Sequence, residues 1–340
     1  MRRFAWSPFY SILLVVALVV GISLWVEGAR AEQARRAGYQ VIRPPHEVHA
    51  FAIQGDTLWA GGQDGVVGIR LATGEVYTSI TCDQELDFTR ALLAMPDGSL
   101  WIGHIDGLSH VTPEGCRTYT QADGLPDGRV NALFLDRDGR LWVGTWGGAV
   151  LQTATGWQVF TMADGLAENM VSVIAQDHLG GMWFGSAVSP RGGLTWCWQG
   201  TCTIFNTDSG LPHNQINAIM EDDQQNLWVG TGFYDRGGAA RLVSQNNTWT
   251  IEQTVSKQDG LAGEKVRALY QDREGVLWFG SEFEGLARFA GGRFHVLTTE
   301  DGLADQEVKV ILQDPAGSLW LGSRDGITRI KPEALDLLGR

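Results

Sequence analysis

The chain has 340 residues, of which 44% are apolar, and its formal net charge at neutral pH is −13. This apolar fraction is sufficient for a large core and excludes a disordered chain. Residues 1–37 carry five Arg and two Glu, so the remaining residues have a net charge of −16. An acidic globular part of this kind repels phosphate backbones. Nucleic acid is therefore not an expected partner.

The first predicted element is an apolar run close to the N-terminus. Arg2 and Arg3 precede residues 9–26, which contain no charge. This length predicts a transmembrane helix, and the basic residues before it predict that the chain after Glu27 lies outside the cytoplasm, in the periplasm or at the cell surface. We assign residues 1–37 to a cytoplasmic stub, a transmembrane signal anchor and a juxtamembrane linker. The alternative is a secreted protein, since residues 29–31 resemble a signal cleavage site that ends at Ala31.

An apolar-Trp-x-Gly phrase then occurs seven times, at Trp59, Trp101, Trp142, Trp183, Trp228, Trp278 and Trp320. The intervals between these Trp residues are 42, 41, 41, 45, 50 and 42 residues. A period of about 40–45 residues with short β-prone segments is typical of a propeller with one four-stranded blade per repeat. The sequence therefore predicts an all-β, seven-bladed β-propeller over residues 38–331, followed by a short polar tail at 332–340.

The third repeat shows the blade most clearly. We predict strands at residues 130–135, 141–145, 149–152 and 157–160, with a turn at Asp136 that relies on Asp and Gly chemistry. An Asp-Gly-Leu phrase after the outer strand is expected to pin neighbouring blades together, and the recurring Trp is expected in the core.

Ring closure is predicted to use both ends of the propeller. The seventh repeat has three predicted strands, at residues 308–313, 319–323 and 327–331, and lacks an outer one. Residues 39–42 resemble an outer strand and precede the first inner strand. We expect them to complete the seventh blade, because closure removes exposed sheet edges.

The four cysteines are compatible with an exported protein. Cys197 and Cys202 bracket a predicted tight turn between two strands, and a disulfide across this hairpin is expected. Cys82 and Cys116 align with opposite ends of their outer strands, which argues against a bridge between them.

The repeat resembles that of the two-component regulator propeller family. Residues 123–145 contain almost the whole motif, in which Asp-Gly-Leu is followed by Val-Asn-Ala-Leu and then by Asp-x-x-Gly-x-Leu-Trp-x-Gly-Thr; residues 214–231, 260–281 and 302–323 match it closely. The resemblance implies the extracytoplasmic, ligand-binding part of a sensor. Because no signalling module is recognisable after the propeller, we expect a sensor-input module that binds a small molecule or an oligosaccharide. The alternative is an interaction scaffold whose partner is another envelope protein.

Two expanded turns between second and third strands, at residues 186–193 and 231–238, provide one group of candidate ligand-binding residues. Loops on a rigid scaffold commonly carry recognition, and aromatic and Arg side chains are enriched at binding hot spots. With the equivalent positions of the flanking blades, this group comprises Trp146, Arg191, Tyr234, Asp235, Arg236 and Glu282. The alternative is that these are merely longer loops with surface charge.

A second group comes from alignment of the inner strands, whose second predicted position is polar in every blade. These residues are His49, Arg90, Asn131, Ser172, Asn217, Arg267 and Lys309. Inner strands line a propeller's central channel, so we expect a polar ring near one mouth that holds an anionic or polyhydroxylated ligand. The alternative is a ring that holds only water and hydrogen bonds between blades.

Catalysis has little support in the sequence. The seven His residues show no metal-ligand spacing, and we expect neither a metal nor another cofactor. The Trp-rich blades are distantly similar to those of streptogramin lyases, which use a metal and His, but no matching His pair is present. We therefore expect a protein that is not an enzyme, with lyase-like activity as the remote alternative.

Overall fold

The computed structural model describes residues 38–187 and 191–338 and arranges them in seven four-stranded antiparallel sheets. Each sheet runs from an inner to an outer strand, and in six of the seven sheets the four strands follow one another along the chain. Each inner strand contacts the inner strand of the next blade, and the last contacts the first. The predicted seven-bladed propeller is thus confirmed. The predicted transmembrane segment lies outside the described residues, and none of the helices within them has the length and apolar character needed to cross a membrane.

The strands of blades one to four follow one another along the chain. Blade one contains β2 (Ala50–Gln54), β3 (Thr57–Gly62), β4 (Gly65–Arg70) and β5 (Val76–Ser79). Blade two contains β6 (Ala91–Ala94), β7 (Leu100–His104), β8 (Gly107–Thr112) and β9 (Gly115–Tyr119). Blade three contains β10 (Val130–Leu135), β11 (Leu141–Thr145), β12 (Gly148–Thr153) and β13 (Gly156–Phe160). Blade four contains β14 (Val171–Gln176), β15 (Met182–Ser186), β16 (Leu194–Trp198) and β17 (Thr201–Phe205).

The remaining blades complete the ring. Blade five contains β18 (Ile216–Glu221), β19 (Leu227–Phe233), β20 (Arg236–Gln245) and β21 (Thr248–Val255). Blade six contains β22 (Val266–Gln271), β23 (Leu277–Ser281), β24 (Leu286–Ala290) and β25 (Arg293–Leu297). Blade seven contains β26 (Val310–Gln313), β27 (Leu319–Ser323), β28 (Gly326–Ile330) and β1 (Tyr39–Ile42).

Strand β1 closes the ring, as its sequence predicts. It pairs antiparallel with β28, with Tyr39 opposite Ile330 and Ile42 opposite Ile327. Ile42 packs in a buried cluster that includes Trp320. Residues after β28 form a short helix, α1 (Pro332–Leu338), whose Ala334 is buried against blades six and seven, so this part of the predicted polar tail is packed.

Six of the seven recurring Trp residues are buried in the core, whereas Trp59 is partly buried and donates to Gln54. In blades three to seven a preceding Asp fixes the indole. In blade three, Trp142 Nε1 donates to Asp136 Oδ2 at 2.9 Å, and Oδ1 of the same carboxylate accepts from the backbone N–H groups of Asp138 and Arg140. Equivalent Asp–Trp bonds occur in blades four to seven. The Asp predicted to form the turn therefore also anchors the core indole.

The linkers after the outer strands of blades three to five form 3₁₀ turns, as does the linker after blade two. The first begins at Thr120, whose side chain caps the turn together with Asp123, and it ends at Gly124 in the left-handed region with φ of 101°. Leu125, the next residue, is buried between blades. This supports a structural role for the Asp-Gly-Leu phrase.

The structure contains two disulfides, and one of them corrects a sequence-based expectation. Cys197 and Cys202 pair across the β16–β17 hairpin, as predicted. Cys82 also bonds to Cys116, which the alignment of outer strands argued against. That alignment was wrong because β5 ends at Ser79, so Cys82 lies in the connection to β6. This connection lacks the 3₁₀ turn of the linkers after blades two to five and brings Cys82 beside β9 of the next blade.

Candidate functional site

The central channel opens at one face into a cavity of about 720 Å³. The starts of the inner strands surround it, and the β11–β12 turn adds Trp146 to its wall. All seven residues of the predicted polar ring line this cavity, namely His49, Arg90, Asn131, Ser172, Asn217, Arg267 and Lys309. Apolar side chains, among them Phe51 and Leu92, form its deeper wall.

A backbone irregularity directs the ring residues of blades three to six into the channel. In β10 the register with β11 shifts between Val130 and Ala132, so Asn131 is the extra residue of a β-bulge. The same shift occurs at Ser172, Asn217 and Arg267. A bulged residue is released from the ladder and can be aimed at a site.

In blades three to five the ring forms hydrogen bonds between neighbouring blades. Asn131 Nδ2 donates to Val171 O at 3.1 Å, and Ser172 Oγ donates to Ile216 O at 2.6 Å. Asn217 Nδ2 donates to Val266 O at 3.1 Å. This half of the ring, which we call the amide arc (Asn131, Ser172 and Asn217), thus uses side-chain donors in contacts between blades.

The opposite half, from blade six through blades seven and one to blade two, is charged, and we call it the charged arc (Arg267, Lys309, His49 and Arg90). Arg267 Nη1 lies 2.8 Å from Glu282 Oε2, which also pairs with Lys265 at 2.6 Å. Burial alone would raise the pKa of Glu282, but Arg267 and Lys265 outweigh this effect and lower it. This carboxylate therefore stays ionised between two cations.

Lys309 is the second ion-paired cation of the charged arc. It is almost fully buried, with 5% of its side chain exposed, and its Nζ contacts Glu47 and lies 3.4 Å from Glu307 Oε2. Burial raises the pKa of Glu307, and Lys309 opposes this effect.

His49 and Arg90 respond to the same cations. Burial, followed by Lys309, Arg267 and Arg90, lowers the pKa of His49 to about 2, so its imidazole is neutral. Arg90 is accessible to channel water but is flanked by protein, and this partial burial together with Arg267 lowers its pKa. Within residues 38–187 and 191–338, no side chain forms a hydrogen bond or ion pair with its guanidinium.

The structure divides the candidate residues predicted from the expanded turns. Trp146 lines the channel mouth, where its Nε1 donates to Asn131 Oδ1 at 3.2 Å and its ring stacks against Arg129. Glu282 reaches the charged arc through Arg267. These two turn residues are thus brought together with the predicted ring.

The other turn residues lie elsewhere. Tyr234 and Asp235 line a separate cleft of about 390 Å³ between blades five and six, beside Phe283. Arg236 and Arg191 are exposed and line neither cavity. Arg191, Tyr234, Asp235 and Arg236 of the expanded turns therefore do not line the channel.

Sequence analysis missed a second layer of the mouth. Lys265, Glu307 and Glu47 each precede a ring residue by two positions. All three lie just before an inner strand at the same spacing from the ring, so alignment of the repeats could have placed them near the mouth but could not have shown which charges pair. Within the described part of the chain, no three or more His, Cys, Asp or Glu residues are grouped so that they could hold a metal ion.

Four segments of the chain match the model of the two-component regulator propeller, at residues 124–147, 210–233, 260–283 and 302–325. The chain therefore carries two-component regulator propeller repeats, as its motifs predict. No curated protein matches the sequence.

Several solved structures share the fold. The extracellular domain described as part of a hybrid two-component system from B. thetaiotaomicron has a TM-score of 0.75 at 20% identity, over 89% of this chain and 42% of that chain. A catalytically inactive virginiamycin B lyase from Staphylococcus aureus, solved with quinupristin, has a TM-score of 0.67 at 15% identity, over 86% and 98%. PorZ, a surface component of the type-IX secretion system of Porphyromonas gingivalis, has a TM-score of 0.58 at 15% identity, over 85% and 53%. At these identities the common feature is the propeller.

Proposed function

We propose that this chain is an extracytoplasmic sensor-input propeller, anchored in a membrane by residues 9–26, whose ligand occupies the mouth of the central channel. The observation that carries the proposal is the cavity of about 720 Å³ in which polar groups from all seven blades converge above an apolar wall. A concave cavity with a few convergent polar groups is the usual form of a small-molecule site. Binding, rather than catalysis, is the role that this arrangement supports.

The export of the propeller is supported by independent features. Two disulfides join all four cysteines of the chain, and such bonds persist in oxidising compartments. The apolar run after Arg2 and Arg3 favours translocation of the chain beyond Glu27. The fold shared with the extracellular domain of a hybrid two-component system agrees with this location.

The cavity favours a polyhydroxylated or anionic ligand. The charged arc supplies cations, and Trp146 supplies a flat apolar surface at the rim. An amphipathic ligand with several polar groups would use both, because unpaired polar atoms are costly when they are removed from water.

Thermal unfolding of the purified protein tests the proposal against a panel of monosaccharides, oligosaccharides and small organic and inorganic anions. A ligand present at 100-fold its dissociation constant should stabilise the protein by about 2.7 kcal/mol. We expect Trp146→Ala to remove most of the rise in melting temperature that the ligand causes. Tyr234→Ala should retain that rise, because Tyr234 is 65% exposed and lies outside the channel. If Trp146→Ala retained this rise and Tyr234→Ala lost it, the ligand would instead lie in the cleft between blades five and six.

A protein-interaction scaffold of the cell envelope is the second candidate function. Its support is the exposure of three aromatic side chains on blades five and six, Phe233 at 45%, Tyr234 at 65% and Phe283 at 52%. Exposed aromatic clusters with a polar rim are typical of protein interfaces. No shift across the whole ligand panel would favour this role over the sensor.

A further inference from the structure

The two arcs of the channel mouth differ in whether their polar side chains already form hydrogen bonds within the protein. In the amide arc, Asn131 donates to the carbonyl of Val171 and Ser172 donates to the carbonyl of Ile216, both in the neighbouring blade. A ligand that displaced these bonds would weaken contacts between blades. The charged arc is therefore the half of the mouth with donors left for a ligand.

The charged residues on this side of the mouth have a surplus of positive charge. The cations are Arg90, Lys265, Arg267 and Lys309, and the anions are Glu47, Glu282 and Glu307. Each anion is held by at least one cation, whereas His49 contributes no charge because burial and these cations lower its pKa to about 2. One positive charge is left without a partner, in a chain whose net charge is −13.

That charge resides on Arg90. Its guanidinium forms no hydrogen bond or ion pair with any side chain in the described part of the chain, and it lines the cavity beside Leu92. An Arg side chain presents a planar set of donors that matches a carboxylate in a bidentate arrangement. A carboxylate carries one negative charge, whereas a phosphate carries about 1.5 to 2 at neutral pH.

We propose that the ligand of the channel is an organic monocarboxylate, whose carboxylate pairs with Arg90 and whose body lies between Trp146 and the apolar wall. This inference rests on the proposed sensor function and specifies its ligand class. Partial desolvation in the channel strengthens such a pair relative to one at an open surface. Arg267 and Lys309 keep the carboxylates with which they are paired.

The test compares glucuronate with glucose, because these two probes differ in a single carboxylate. Isothermal titration calorimetry on the intact protein should give a dissociation constant at least about tenfold lower for glucuronate, since a hydrogen bond to a charged group contributes about 1.5–3 kcal/mol. Arg90→Gln should raise the constant for glucuronate at least tenfold and leave that for glucose unchanged. Arg90→Lys should retain part of the preference.

Arg117→Gln is the matched control. It removes the same charge from a side chain that is 67% exposed and lies outside the channel, so the preference for glucuronate should persist. Acetate and inorganic phosphate complete the set, and tighter binding of phosphate than of either carboxylate would overturn the inference. Equal binding of glucose and glucuronate would also overturn it but would leave the sensor proposal intact. Binding of neither sugar and neither anion would count against both.

Discussion

At the scale of single residues, His49 links the charge of the channel mouth to the stability of the fold. Burial and the nearby cations Lys309, Arg267 and Arg90 lower its pKa to about 2 from the ordinary 6.5. In the unfolded chain the imidazole regains its ordinary pKa. Below pH 6.5 the unfolded state therefore binds a proton that the folded state does not, so the free energy of unfolding falls as the pH is lowered.

We predict that His49→Asn reduces this acid sensitivity. Asn occupies the equivalent ring position in blades three and five, and its side chain does not titrate. Between pH 7 and pH 5 the parent protein should lose about 2 kcal/mol more of its free energy of unfolding than the variant. Urea unfolding of both proteins at the two pH values measures this difference. The titration of the other His residues contributes equally to both proteins and cancels in the comparison. Equal losses would contradict the neutral state assigned to His49.

Asp177 illustrates what a sequence reveals about a residue and what it does not. The repeat predicts that Trp183 is buried, and it is. The same Asp177 Oδ2, however, accepts hydrogen bonds from Trp183, Trp196 and Trp249, the last from the outer strand of the next blade. Because that third partner lies 72 residues away in sequence, local spacing could not reveal that one buried carboxylate organises three indoles.

At the scale of elements, the strands were predictable and the connections between blades were less so. In blade three the first two strands, β10 and β11, have the predicted bounds, because alternating apolar residues and Gly-containing turns fix them locally. The connection between β5 and β6 does not follow the Asp-Gly-Leu pattern, so the place of Cys82 could not be read from the aligned repeats.

Strand β1 provides the second prediction, because it closes the ring. Ile42 is 7% exposed and packs against the core of blade seven, whereas its neighbour Val41 is 42% exposed. We expect Ile42→Ala to lower the free energy of unfolding by about 2–5 kcal/mol through lost burial and a residual cavity. Val41→Ala, the matched control on the same strand, should cost less than about 1 kcal/mol. Denaturant unfolding followed by Trp fluorescence measures both. If both variants lost a similarly small free energy of unfolding, closure by β1 would contribute little to stability.

At the scale of the whole molecule, the channel mouth depends on contacts that only ring closure creates. The ring itself was predictable, since all seven inner strands share one register. Its ion pairs were not, because Glu47 and Lys309 are 262 residues apart and meet only when the last blade lies beside the first. The distribution of charge at the mouth is therefore a property of the closed propeller rather than of any repeat.

The two disulfides should stabilise the molecule unequally, because they constrain loops of different length in the unfolded chain. Cys82 and Cys116 are separated by 34 residues and join two blades, whereas Cys197 and Cys202 are separated by 5 within one hairpin. The loop-closure model gives roughly 4 kcal/mol for the longer loop and about 2 kcal/mol for the shorter. We therefore expect replacement of the first pair by Ser to lower the free energy of unfolding more than the same replacement of the second. Denaturant unfolding of the two double variants beside the parent protein measures both losses. A larger loss for the hairpin pair would mean that the stabilisation arises within the folded blades, and that the bond between blades one and two has little influence on the unfolded chain.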